Sequence, residues 1–158
     1  MTQEPRWLNP EQTRTWLALW SVSEWMSTRL DEQLKRDEGV GHTDYFPLAQ
    51  ISMAPGEQLT MTELAGLSNM SPSRLSHVVS RLEDRGWVKR EASPTDRRTN
   101  IARLTDAGRH FVQRAAPGHV EHVRSLIFDG LTDEENRQLG DLLTKVMVRI
   151  NPPALPRA

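Results

Sequence analysis

The 158-residue chain contains no cysteine, which removes disulfides, thiolate metal sites and thiol redox sensing from consideration. Aromatic residues other than tryptophan are scarce. One Tyr and three Phe accompany five Trp, and Trp16, Trp20 and Trp25 fall in one short stretch. No apolar run approaches ~18 residues, so no membrane-spanning helix and no membrane partner are expected. The opening M-T-Q-E-P-R-W lacks a basic-then-apolar signal pattern, and the expectation is a soluble cytoplasmic protein. Catalytic signatures are missing as well. There is no Gly-rich phosphate loop, no Ser-His-Asp order in a suitable context, no paired carboxylates in an expected cleft and no nucleophilic Cys. His77 lies beside Ser76 and Ser80, but all three fall on one exposed helix face without shelter from water. Neither an enzyme nor a cofactor is expected.

Charge is nearly balanced overall, at a formal net of −1. It is not evenly spread. Between Ser71 and Leu104 stand eight basic residues (Arg74, Arg81, Arg85, Lys89, Arg90, Arg97, Arg98 and Arg103) against four acidic ones (Glu83, Asp84, Glu91 and Asp96), a local net of +4. The remainder holds twelve basic and seventeen acidic residues, a net of −5. Segregated charge of this kind places a positive field on one part of the molecule and turns the rest away from phosphate.

The pattern of apolar residues is mostly helical. Asn9-Pro10-Glu11-Gln12 is a helix start, with Asn as cap and Pro at the first helical position. Trp16, Leu19/Trp20, Ser23, Met26, Leu30 and Leu34 then recur at three and four, predicting an amphipathic helix to about Arg36 that Gly39 and Gly41 break. A second helix is expected from near Thr43 to Pro55-Gly56, with Pro47 in its first turn, where a missing N–H costs least. Thr60-Met61-Thr62-Glu63 is a capping box opening a short helix with Leu64, Ala65 and Leu67 inward. After Ser68-Asn69-Met70, Ser71-Pro72 opens another, whose Leu75, Val78, Val79 and Leu82 fit i, i+3, i+4, i+7, and Gly86 stops it. Two such helices in succession make a helix-turn-helix.

Trp87–Glu91 and Asn100–Leu104 read as short strands joined by a turn-rich loop, Ala92 to Thr99. Thr105 caps a following helix with Phe111, Val112 and Ala115 inward. Pro117-Gly118 is expected to kink or interrupt it before Val120, Val123 and Ile127 resume the pattern. Thr132-Asp133-Glu134-Glu135 is a second capping box, leading into Leu139, Leu142, Leu143, Val146 and Ile150. The expected fold is mainly α with a small β-wing.

With Leu75, Val78, Val79 and Leu82 inward, Ser73, His77, Ser80 and Asp84 rotate to the opposite face, flanked by Arg74, Ser76 and Arg81. Serines let a helix sit deep in a major groove, Arg reaches guanine edges or phosphate, and free N–H groups at the helix start favour a phosphate. An ordinary solvated face would carry Glu and Lys instead. Asp84 would repel phosphate, so only the first half of the helix is expected to enter a groove. Arg97 and Arg98 sit at a loop tip suited to a narrow minor groove. Asp96 is expected to pair with a neighbouring Arg and orient the loop. An ordinary charged β-turn is the bland alternative.

Three stretches resemble the MarR family of bacterial winged helix-turn-helix regulators: L-T-M-T-E-L-A-G-L-S-N-M-S-P-S-R-L-S, R-L-E-D-R-G-W-V-K-R and S-P-T-D-R-R-T-N-I-A-R-L-T-D-A-G. The last, with its Asp-x-Arg wing and Leu-Thr-x-x-Gly exit, is the most specific, and the likeness spans roughly 10–150. The resemblance implies one domain over 1–158 and an obligate homodimer, with helices at 9–36 and 120–150 interleaving. It also implies a winged unit over 43–104, with recognition helix 71–85 and wing 87–104. The implied function is a transcription repressor bound to a pseudo-palindromic operator on double-stranded DNA and released by a small aromatic effector. Candidate DNA contacts are then Thr62, Ser71, Ser73, Arg74, Ser76, His77, Ser80, Arg81, Arg97 and Arg98. Trp16, Trp20, Tyr45 and Phe111 are candidate effector contacts, with filling of the dimer core as the alternative for the Trp pair. The thiol-oxidation branch of the family is closed to a chain without Cys.

Two rival readings remain. His119 and His122, at i, i+3, suggest a metal-responsive regulator, but His42 and His110 are unplaced and no carboxylate cluster completes a site, so no metal is expected. A winged helix used only for protein contacts is the other. It would not need Arg74, Arg81, Arg97 and Arg98 on one side.

Overall fold

The computed structural model describes residues 5–94 and 98–153. Helix α1 runs Pro10–Glu38. Asn9 opens it with a reciprocal box: its side chain accepts from Gln12 N at 2.8 Å, while Gln12 Oε1 accepts from Asn9 N at 3.0 Å. Gly39, at φ 67°, closes it in the left-handed region. Helix α2 covers His42–Met53. Its first amide, His42 N, donates to Asp31 Oδ1 of α1 at 2.9 Å, so a carboxylate on one helix caps the next. Pro47 is not in the first turn as expected. It lies inside the helix and is buried, where the apolar contacts of its ring offset one lost backbone bond.

A three-residue strand, β1 (Gln58–Thr60), follows; the sequence pattern had not shown it. Thr60 caps helix α3 (Met61–Leu67), its Oγ1 accepting from Glu63 N at 3.1 Å while Glu63 Oε2 accepts from Thr60 N at 2.9 Å. Helix α4 spans Pro72–Asp84, with Leu75, Val78, Val79 and Leu82 all buried, as the spacing predicted. Gly86, at φ 71°, turns the chain out of it. Strands β2 (Val88–Ala92) and β3 (Asn100–Leu104) pair antiparallel with Arg90 opposite Ala102. β1 joins the other edge of β3, giving the order β1-β3-β2.

Thr105 caps helix α5 (Asp106–Val123), its Oγ1 accepting from Gly108 N at 3.0 Å. Of the expected kink or interruption at Pro117-Gly118, the interruption does not occur: α5 runs through both residues. Ala115 is buried on the N-terminal side of the proline and His119 meets Gln33 on the C-terminal side. The irregularity comes later, as a wide π-type turn over Arg124–Phe128. Helix α6 (Asp133–Ile150) starts at a Thr132/Glu135 capping box. None of its residues is buried in the single chain.

One core joins α2, α3, α4, the sheet and the first half of α5, with Leu48, Ile51, Leu64, Leu75 and Leu82 fully enclosed. It meets α1 through Leu34 and a buried amide: Gln33 Nε2 donates to Asp37 Oδ2 at 2.8 Å, and Gln33 Oε1 lies 3.2 Å from His119 Nδ1. The His119 ring packs on Tyr45 with centroids 4.8 Å apart. His122 Nε2 rests 3.2 Å from the Arg29 carbonyl oxygen. Both members of the i, i+3 pair are thus engaged with α1, and the described residues hold no group of three or more metal-ligating side chains.

Burial holds the His119 imidazole below its usual value, with His42 and His122 adding to the effect. Burial lowers His42 as well, and Asp31 partly offsets it. The unfolded chain therefore binds protons that the folded junction refuses once pH falls below about 6.5, so stability declines from there downward until each folded value is passed. The melting temperature should drop between about pH 7.5 and about pH 5.5, before most carboxylates titrate, and His119→Gln should flatten that drop. The close of the wing gives a second expectation. A Cβ on Gly108 would stand 2.1 Å from the Trp87 carbonyl oxygen and 3.0 Å from Leu104 Cδ1. Gly108→Ala should cost about 1–3 kcal/mol in urea melts, because backbone rather than a flexible tip must give way.

Candidate nucleic-acid interface

The interface is built on the rotation of α4. Ser71 caps the helix, its Oγ accepting from Arg74 N at 3.2 Å, and Pro72 occupies the first turn. The four inward apolar residues leave Ser73, Arg74, His77, Arg81 and Asp84 exposed. Thr62, in the first turn of α3, is also exposed. Arg98 is exposed in the loop between β2 and β3, where Ser93 N donates to Thr99 O at 2.7 Å. Asp96 and Arg97 lie outside the described residues.

Ser76 and Ser80 sit differently from the other candidates. Both are half-buried, turned toward β2. Arg90 Nη1 donates to Ser76 Oγ at 3.3 Å and Nη2 to Ser80 Oγ at 3.0 Å. Ser80 Oγ in turn donates to Ser76 O at 3.0 Å. The helical wheel placed Ser80 opposite the core, but the ribbon after α4 folds back against that flank and covers it. The outward strip is consequently narrower than the sequence implied.

The ribbon is tied to α4 by a dense set of bonds. Trp87 N donates to Leu82 O at 3.0 Å. Arg90 N and Nε donate to the two oxygens of Glu83 at 2.8 and 2.7 Å. Burial raises the Glu83 carboxyl, and the side-chain and backbone bonds from Arg90 more than reverse that, leaving it below its usual value. On the other face of the ribbon, Glu91 pairs with the exposed Lys89 and the half-buried Arg103. Arg81 pairs with Asp44 in the first turn of α2. Arg90, Glu83 and Asp44 were not candidates from sequence. A Glu and an Arg seven positions apart across a helix end give no periodic signal.

Of the four aromatic candidates, Tyr45 and Phe111 are in the core, at 4% and 2% exposure. Trp16 and Trp20 are about half exposed on α1 and pack on each other, centroids 5.7 Å apart. Phe111 stacks on Trp87 at 4.0 Å. Two of the four candidates are thus core residues and two lie at the surface.

A family model described as the MarR family matches residues 39–99. The structure is similar to that of a MarR family transcriptional regulator from Streptomyces coelicolor solved in complex with DNA. That likeness has a TM-score of 0.87 and 42% identity, and it covers 98% of each chain. It is also similar to AbsC, a MarR family regulator of Streptomyces coelicolor (TM-score 0.86, 31% identity, covering 93% of this chain and 99% of that one). Among curated proteins, the transcriptional repressor MprA of Escherichia coli is 24% identical over 119 residues, 75% of this chain and 67% of that one. These relatives are regulators rather than enzymes. A helix-turn-helix with a β-ribbon folded against its second helix, matched almost end to end at this identity, places the chain in the MarR family of transcriptional regulators.

Proposed function

We propose that the chain is a homodimeric transcription repressor that binds a pseudo-palindromic operator through α4 and the wing and leaves it when a small aromatic ligand binds. The observation that carries the DNA reading is the strip of Ser73, Arg74 and His77, exposed on the first half of α4. Small hydroxyls permit close approach to base edges, and guanidinium groups supply phosphate or guanine contacts. The Streptomyces coelicolor regulator solved with DNA supports the same use of this fold. Ser71 holds the start of α4 in the geometry that points free N–H groups at a phosphate. In this reading Asp96 orients the wing and Arg97 or Arg98 enters the minor groove.

The dimer reading is supported by surface that one chain leaves bare. Leu142, Leu143, Val146, Met147 and Ile150 form a stripe on α6, and Trp16, Leu19 and Trp20 form another on α1, all exposed. Contiguous apolar area of this kind marks an interaction surface. A second copy, interleaving 9–36 and 120–150, covers both stripes with the same residues from each side, as a twofold contact requires. The winged unit of 43–104 then hangs from the dimer through the junction of α1, α2 and α5. Rings meet there, Tyr45 against His119 and His42 against Phe46. A planar ligand entering that junction would shift the spacing of the two α4 helices, and by linkage its affinity and that of DNA lower each other by one factor.

Arg98→Ala should weaken operator binding by about tenfold and reduce the slope of log affinity against log salt by about 1, with sedimentation unchanged. Equal slopes would remove Arg98 from the phosphate contacts. Val146→Glu should yield monomers in sedimentation and abolish operator binding at concentrations where the native chain is dimeric. A dimeric, operator-binding Val146→Glu protein would contradict the interleaved arrangement.

A further inference from the structure

The Arg90 side chain of β2 is turned back onto α4. Its guanidinium meets Glu83 Oε2 from both Nε and Nη2, at 2.7 and 2.6 Å, and the hydroxyls of Ser76 and Ser80. Its own backbone N–H takes the remaining Glu83 oxygen. One strand residue thus grips α4 at three successive positions of one flank: Ser76, Ser80 and Glu83. The side chains of Arg90 and Glu83 are only 33% and 27% exposed, so water competes less than at an ordinary surface pair. Val88 and Arg90 share the face of β2 turned to α4 by the period of two, with Val88 buried beneath the clamp. Lys89 and Glu91 take the outer face.

We infer that Arg90 is a positioning residue for operator recognition: by clamping β2 to the flank of α4, it sets the distance and angle between the helix that reads bases and the wing that reaches the neighbouring groove. The inference rests on the DNA reading above and deepens it. The clamp has two effects. It makes helix and wing one rigid reader, so that placing α4 in a major groove also places the loop carrying Arg98. It also withdraws Ser80 from the reading face, since that hydroxyl accepts from Arg90 and donates to Ser76 O. Base readout is thereby confined to the first turns of α4, around Ser73, Arg74 and His77. The three bonds leave from three nitrogens of one plane, Nε, Nη1 and Nη2, a spread that the single nitrogen of a lysine does not reproduce.

The test is a double-mutant cycle between Arg90, whose side chain is bonded to α4, and Arg98, a wing cation of the proposed DNA contacts. The probe is a duplex enriched from a random pool by the wild-type protein, with binding read by fluorescence anisotropy and folding by thermal melting. Behind native Arg90, Arg98→Ala should cost about tenfold in affinity; behind Arg90→Met it should cost about threefold or less, because a wing released from α4 no longer delivers Arg98. Arg90→Lys should behave as Arg90→Met does, despite keeping its charge. Should Arg90→Met melt below the assay temperature, Glu83→Gln, which keeps the shape and loses the charge, takes its place in the cycle. Fold-losses that multiply, or full rescue by Arg90→Lys, overturn the inference while leaving DNA binding intact. A wild-type protein that enriches no duplex overturns the DNA reading and the inference together.

Discussion

Leu75, Val78, Val79 and Leu82 set the rotation of α4, and what the molecule offers its surroundings follows from that angle. Burying four aliphatic side chains is worth roughly 1.5–3 kcal/mol each against leaving them in water. No alternative rotation can recover that, because the opposite face holds Ser73, His77 and Asp84. Turned this way, the helix exposes small hydroxyls, an imidazole and Arg74, with its capped start free at the surface. The same rotation turns Ser76, Ser80 and Glu83 toward β2, where Arg90 fastens the ribbon. One packing decision therefore settles both which residues face outward and where the wing is attached.

Structural features written locally were legible in the chain. The caps at Asn9, Thr60, Ser71, Thr105 and Thr132 are each a side chain bonded within three residues of itself, and every one stands where it was expected. The buried stripe of α4 was legible for the same reason. β1 was not: three residues make no period, and Gln58–Thr60 is a strand only because Arg103, Ala102 and Ile101 lie alongside. Pro47 lies deeper in its helix than expected, and Pro117 does not end α5, because the cost of a missing N–H is weighed against packing that sequence does not display. The Arg90 clamp was invisible because its partners sit on the preceding helix, on one flank that only the folded-back ribbon defines. The aromatic candidates divide along the same line. Tyr45 and Phe111 belong to the core, while Trp16 and Trp20 are about half exposed on α1.

The polar junction of α1, α2 and α5 links these parts. Asp31 caps α2, Gln33 and His119 meet across α1 and α5, and Arg114 of α5 reaches Glu38. From Glu38 a contact chain passes through Arg114, Phe111 and Trp87 to Arg85, just beyond α4. The end of α1 and the end of α4 are thus joined by packed side chains. In the proposed dimer, a small change at the junction would be carried to the spacing of two α4 helices.

The most direct measurement of the central claim, that the outward strip of α4 lies in the major groove of duplex DNA, is a methylation-protection footprint with wild-type protein on a duplex it selects. The account predicts that guanine N7 atoms are shielded in two successive major grooves on one side of the helix, about one turn apart. Binding that leaves every major-groove N7 reactive would contradict it.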